Sequence, residues 1–520
     1  MWLFYDNVVT FMVAAVACTF AWLFGGTIAS YLTPVVPWLV ALLLELMLCF
    51  PQRHRNETSG EARERVWHAL KEDPLTWVVV GFFALLAIPF VNTGLCQVCD
   101  YAAIELEGAN PAPAVPFLPY CVNRLHHMNV VMWFVPALTA MLAVKHALCK
   151  RGKRLLISLI VWNGVGLVAL GIVQQVAGAP SPLWIESHGE SAYFFSTFGY
   201  PNMGGDYFTT LFGLAVGLWR WNIEEIRAEK RQTGGNKALE AGHVKFWKKH
   251  YLLIPAALFF FAALATLSRA AIILVSLLAL IFVAHSFRCF FARLPRARRV
   301  RAVAVSFIAL VLIALCAIVF MPESLQNEVN TLDTTLVLDR VTGKGQYHAR
   351  VATEIWKENL LFGCGGWGYK HLCIPRMTEQ ELRNIQITGG INVHNDHLQF
   401  LAEHGIVGYG CLVTMVVLLL LPMVGTLRKM AASVRFIPPK DQPPKPVSLF
   451  IVPAPVFCIL LTAAATLIHG FGDCPLRSPA VLTLFFVSLA SIDGFLPHLR
   501  EAEEEDAHRH RHHHHHPHHH

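Results

Sequence analysis

Apolar runs of about twenty residues, divided by short polar stretches, recur along nearly the whole chain. A helix needs about 20 apolar residues to cross a ~30 Å hydrocarbon layer. The runs lack the two-residue alternation of a barrel strand. They predict spanning helices over roughly 8–25, 28–50, 76–95, 127–147, 155–177, 202–221, 251–267, 270–290, 302–321, 405–426, 448–469 and 479–497. The expected fold class is all-α: a polytopic membrane protein of about twelve transmembrane helices. A large loop, 322–404, is expected on the outside face and holds short amphipathic helices. Asp6 precedes the first run without a basic n-region, and no small-residue cleavage site follows, so that run is expected to remain a helix.

Composition agrees. Only 15% of the 520 residues are charged and the mean hydropathy is +0.47, whereas soluble domains carry about 25% charged residues. Lysine and arginine collect in alternate loops: Arg53 to Lys71, Lys145 to Arg154, Arg288 to Arg301, and Arg428 to Arg435. The positive-inside tendency places those loops and both termini in the cytoplasm. The net charge of +7 then reflects topology and predicts no nucleic-acid partner. The outside loop is an exception, with Arg340, Lys344, Arg350, Lys357, Lys370, Arg376 and Arg383 facing away from the cytoplasm, as contact with an anionic headgroup would require. Three regions are expected: 1–190, spanning helices without a recognisable motif; 191–497, where the chemistry gathers; and 498–520, a disordered acidic and histidine-rich cytoplasmic tail. Cys364 and Cys373 are the outside cysteines most open to bridging, although a role as small apolar fillers is equally consistent.

Five segments have the chemistry of a site. His394 stands just ahead of a short amphipathic helix, where Asn395 or Asp396 caps the start and Gly405 ends it. Its imidazole is the natural general base; His397 and His404 are rivals, and Glu403 suits orientation better than proton transfer. Residues 346–359 place Val351, Ala352, Ile355 and Trp356 at helical spacing, the pattern of a helix lying on the bilayer with Trp356 at the interface. The following stretch, Gly363 to Gly368, is glycine-rich, and its amides are suited to an anion nest. Arg350 either serves a ligand or pairs with Glu354 at i,i+4. Ser268-Arg269 forms a tight outside hairpin, where an arginine snorkels or holds phosphate. Asn202 lies in a Gly/Pro-broken helix start, and Asp473 and Arg477 share the last outside loop, where they are expected to pair. No Walker A, G-x-S-x-G or H-E-x-x-H motif is present, and no outside D-x-D to hold a metal–nucleotide sugar.

His394-Asn395-x-x-Leu398-x-x-x-x-Glu403-x-Gly405 matches an H-N-x-x-L-x-x-x-x-E-x-G signature. Together with the Arg350…Trp356…Asn359…Gly363-x-Gly365 region, the Ser268-Arg269 hairpin and Gly199-x-Pro201-Asn202, it resembles the bacterial O-antigen ligase and O-antigen polymerase superfamily over roughly 190–495. The first five spans carry no motif of that family. The resemblance implies an inner-membrane glycosyltransferase with its active site on the periplasmic side. The donor would be an undecaprenyl-pyrophosphate-linked glycan, and the acceptor a sugar hydroxyl, of lipid A–core for a ligase. His394 would act as base, and Arg269 and Arg350 would hold the donor pyrophosphate. Asn395, Glu403, Trp356, Asn202 and Gln399 would support them. The reaction would be a metal-independent, inverting displacement with no cofactor. A polymerase, a protein O-oligosaccharyltransferase and a non-enzymatic lipid-glycan transporter are the alternatives, in that order. A transporter is expected to place ionisable groups near the bilayer midplane, whereas here the polar residues gather at one interface.

Overall fold

The computed structural model describes residues 2–54, 57–92, 115–185, 194–232, 248–291, 345–388, 392–434 and 452–496. Among them the regular structure is helical, and the one β contact is an isolated bridge between Phe195 and Phe198. The N-terminal helices are α1 (Trp2–Trp22), α2 (Ala29–Leu48), α3 (Ser59–Glu72), α4 (Pro74–Ala87), α5 (Arg124–Leu142) and α6 (Lys150–Val176). There follow α7 (Pro201–Gln232), α8 (Leu253–Ala265), α9 (Arg269–Phe291), α10 (Gly345–Glu358), α11 (Gly368–Leu372) and α12 (Glu379–Thr388). The last three are α13 (Asp396–Val434), α14 (Ala454–His469) and α15 (Pro479–Ala490).

Among the described residues, six helical stretches are long and apolar enough to cross a bilayer: Tyr31–Leu48, Arg124–Ala147, Lys150–Val176, Lys248–Ala265, Arg269–Phe287 and Asp396–Thr426. Ser59–Glu72 and Pro74–Phe90 would make a seventh if that pair, bent by 69°, is one span. The bend follows from capping. Thr58 and Glu61 close a capping box on α3, and Asp73 starts α4 afresh by accepting from the Leu75 N–H, with Pro74 in the first turn. Three shorter apolar helices, Asn7–Trp22, Ala454–His469 and Pro479–Ala490, complete the set. The described residues therefore do not reach the expected twelve spans. The run 302–321 lies outside them, and 202–221 forms a helix too polar to pass as a span.

That polarity has a structural reason. Residues 203–218 of α7 are all buried, and α7 packs along α14 and α8. Asp206, Thr209 and Thr210 are thus polar groups turned into protein. At the periphery, Trp38, Phe261 and Leu280 are 78%, 64% and 66% exposed, a surface suited to lipid.

The segment from 345 to 402 carries a second small core. Val351, Ala352 and Ile355 of α10 are fully buried with Cys364, Tyr369, Cys373, Val393 and Ala402, and Trp356 packs against them. The apolar face of α10 therefore covers protein, not a bilayer surface, which corrects the expectation for 346–359. Cys364 and Cys373 are free buried thiols, so the bridge proposed from sequence is not formed.

The glycine-rich loop also differs from expectation. Its amides are consumed by a break in α13. Cys364 and Gly365 donate to the carbonyls of Ala402 and Glu403 at 3.0 and 2.8 Å, while Ile406 and Val407 donate to Leu360 and Leu361, each at 3.0 Å. The Gly366 N–H donates to His127 Nδ1 at 2.9 Å. Gly363 donates to the Asn359 carbonyl, so the successive amides from Gly363 to Gly366 are all engaged within the protein. The break requires Gly405, at φ +64° and ψ −173°, where an added Cβ would lie 2.2 Å from the Leu361 carbonyl oxygen. Gly405→Ala is expected to destabilise the protein by about 3 kcal/mol or more, read as a lower midpoint in detergent thermal unfolding.

Candidate active site

The chain turns around Gly25, 194–200, 266–268, 392–395 and 470–478 meet at one end of the bundle, tied by Ser478 donating to the Gly25 carbonyl and Thr197 to that of Ala21. Four of the five sequence segments converge there on one carboxylate. Asp473 accepts from the Tyr200 hydroxyl at 2.9 and 3.0 Å and from the Asn202 amide. It also faces His394 Nδ1 at 3.4 Å. Asn202 in turn accepts from the Ser268 hydroxyl at 2.5 Å. Ser268 thus links the hairpin to the site while its Oγ accepts from the Ala271 N–H and opens α9. Arg269, the first residue of α9, stands one position from this network and is half-buried.

His394 is the accessible member. Its side chain is 42% exposed against 5% for Asp473. Its backbone adopts φ +51°, a left-handed conformation that costs a non-glycine residue about 1–3 kcal/mol. Neighbouring contacts hold it there. The Val393 N–H donates to Gln399 Oε1 at 3.1 Å, and Gln399 donates to Glu403 Oε1 at 3.1 Å. Asn395 Oδ1 accepts from the Leu398 N–H at 3.0 Å and is the cap; Asp396 is instead buried, accepting from the Leu476 N–H at 2.8 Å.

Burial alone would push the Asp473 carboxyl up. Hydrogen bonding and charge from His394, the His469 ring and the Cys474 N–H outweigh it and bring the carboxyl down to about 2. Asp473 is therefore an anion at neutral pH, and it orients the ring. His348 lies beside the site, its ring 6.2 Å from that of His394 and its Nδ1 2.7 Å from the Tyr369 hydroxyl. Burial and then the His394 charge push His348 down to about 4. It is neutral at neutral pH and stands as a polar wall, not a second cation.

The rival bases are occupied. His397 uses both ring nitrogens, on the Tyr409 hydroxyl and the Leu467 carbonyl, each at 2.8 Å. His404 is buried against Phe82, Phe134 and Phe400. Asp473 and Arg477 do not pair, contrary to expectation. Arg477 instead meets Glu403 at 2.5 Å, with both side chains at most 2% exposed, and lies 4.6 Å from the Trp367 ring centroid. Arg350 is exposed and engaged with Glu354 at 3.0 Å and Glu381 at 3.2 Å. Its guanidinium is thus turned toward carboxylates of the surrounding loop. Trp356 contributes packing, and its indole nitrogen is buried.

Sequence reasoning missed Asp473 as the partner of His394, and Tyr200 as its second donor. It also missed a buried pair behind them, His469 Nδ1 and Asp206 Oδ1 at 3.1 Å, which Thr466 joins through Asp206 Oδ2 at 2.8 Å. The Gly199-x-Pro201-Asn202 motif was the one signal that pointed to Tyr200. Among the described residues, His394, Asp473 and Cys474 also bring potential metal-ligand atoms within 4.8 Å of one another.

Fold and site together define a polytopic α-helical membrane protein with its reactive side chains gathered at one end of the bundle. Residues 254–413 match the family model described as O-Antigen ligase, so this region is similar to the O-antigen ligase and polymerase superfamily. The match takes in Arg269, Arg350, His394, Gln399 and Glu403, while Asn202 and Asp473 lie outside it. No curated protein matches the chain. The match supports a membrane protein of glycan transfer.

Proposed function

We propose that the protein transfers a glycan from undecaprenyl pyrophosphate to a sugar hydroxyl of lipid A–core at the periplasmic face of the inner membrane. The observation that carries this reading is the exposed His394 imidazole backed by the buried Asp473 anion. His394 removes the proton of the acceptor hydroxyl as its oxygen attacks the anomeric carbon of the donor. The bond from that carbon to the pyrophosphate oxygen breaks, and the polyprenyl pyrophosphate leaves with the electron pair. Asp473 stabilises the imidazolium that forms. A single displacement inverts the anomeric carbon.

The leaving group gathers negative charge, which cationic clamps stabilise more in the transition state than in the ground state. Arg269 adjoins Ser268, which bonds Asn202 in the site, whereas Arg350 stands among Glu354 and Glu381. Arg269→Ala is therefore expected to cost about 10²–10³-fold in rate and Arg350→Ala less, measured as initial transfer rates at fixed donor.

The orientation is supported by the opposite end of the bundle. α6 begins at Lys150 and runs 27 residues toward the site end, about 40 Å away at the helical rise. Lys153 there pairs with Asp493 at 2.7 Å, and this cationic end suits the cytoplasm. Ligation and polymerisation separate on lipopolysaccharide gels of a deletion strain. Ligation predicts loss of all long chains with glycan stranded on undecaprenol; retention of core capped by a single repeat contradicts it. Chelation by EDTA is expected to leave the rate unchanged.

A further inference from the structure

Directly behind the proposed base stands a group the glycan reaction does not need. Cys474 Sγ lies 3.3 Å from Asp473 Oδ1, the same oxygen that faces His394 Nδ1 at 3.4 Å. All three potential ligand atoms lie within 4.8 Å of one another. Zinc binds imidazole nitrogen and carboxylate oxygen at about 2.0–2.2 Å and thiolate at about 2.3 Å, so tetrahedral ligands stand roughly 3.3–3.8 Å apart. Two of the three separations already have that value.

We propose that His394, Asp473 and Cys474 form a site for a thiophilic divalent cation, zinc by its chemistry, and that its occupancy silences His394. A nitrogen, an oxygen and a sulfur ligand together select zinc over magnesium or calcium, which favour oxygen. Cys474 and Asp473 are buried and form the floor, and the exposed His394 ring leaves the fourth position open on the substrate side. Tyr200 and Asn202 already donate to the Asp473 carboxylate and would orient it as a ligand.

The chemistry balances simply. The Cys474 thiol gives one proton to solvent as the sulfur–metal bond forms. The imidazole ligates through Nδ1 and carries its ring proton on Nε2. Neither ring nitrogen then has a lone pair for an acceptor hydroxyl, so transfer stops.

This inhibition rests on the proposed role of His394, but the binding site itself does not, and cobalt separates the two. Full-length protein in detergent is titrated with Co²⁺, and the thiolate-to-cobalt charge-transfer absorption is followed. The histidine-rich tail contains no cysteine and gives no such band. The expected result is a band in the wild type that zinc displaces and that is absent from Cys474→Ser. Zinc added beyond the capacity of the tail slows transfer at least tenfold, and EDTA restores it. No band in the wild type, or an equal band in Cys474→Ser, overturns the site. A Cys474-dependent band with unslowed transfer in zinc keeps the site and overturns both the silencing and the role of His394 as base.

Discussion

Replacing His394 by alanine is expected to lower glycan transfer by about 10²–10⁴-fold, the contribution of a positioned general base. The fold should survive. The ring is 42% exposed, and the backbone around it is held by Gln399 and the Asn395 cap, not by the imidazole. Removing the ring leaves Asp473 with Tyr200, Asn202 and the Cys474 N–H as partners, so the buried anion is not stranded. Initial rates with purified protein, beside a thermal unfolding midpoint close to that of the wild type, check the expectation. A large drop in the midpoint would make the residue structural.

The second large effect concerns stability. Glu403 and Arg477 form an ion pair with both side chains at most 2% exposed. Glu403 is fixed further by Gln399, and Arg477 lies over the Trp367 and Phe400 rings. Cutting either partner leaves a charge buried and unpaired, which typically costs 3–5 kcal/mol. Glu403→Ala and Arg477→Met are each expected to cost about that much. The double variant should recover most of the loss, because two neutral side chains strand no charge. A double-mutant cycle of unfolding midpoints decides it; purely additive losses would show that the pair is not coupled.

These two residues also show where sequence stops being legible. Hydropathy gave the all-α class, because a lipid solvent forces long apolar runs whatever the packing. It could not give the number of spans, because α7 is polar for an internal reason: Asp206, Thr209 and Thr210 face protein. Spacing narrowed the cap to Asn395 or Asp396, and the family resemblance grouped Ser268, Asn202 and His394, each of which lies at a helix start where polar groups are needed. Asp473 and Arg477, four residues apart, looked like partners. The fold instead brings Glu403 to Arg477 and Tyr200, Asn202 and His394 to Asp473, contacts that span 74 to 273 positions. Local reasoning has no access to such separations. The glycine-rich loop misled for a related reason. Its amides were free for a ligand only while the break at Gly405, which uses them, was out of view.

The central claim is that an imidazole–carboxylate pair drives bond formation to a lipid-linked glycan. The most direct measurement uses purified protein with a defined undecaprenyl-pyrophosphate glycan and lipid A–core. New glycosidic bonds and released undecaprenyl pyrophosphate are counted together, in the wild type and in His394→Ala. The account predicts equal amounts of both products in the wild type and almost none in the variant. Full activity of His394→Ala, or movement of labelled donor across vesicles with no bond made, would contradict it.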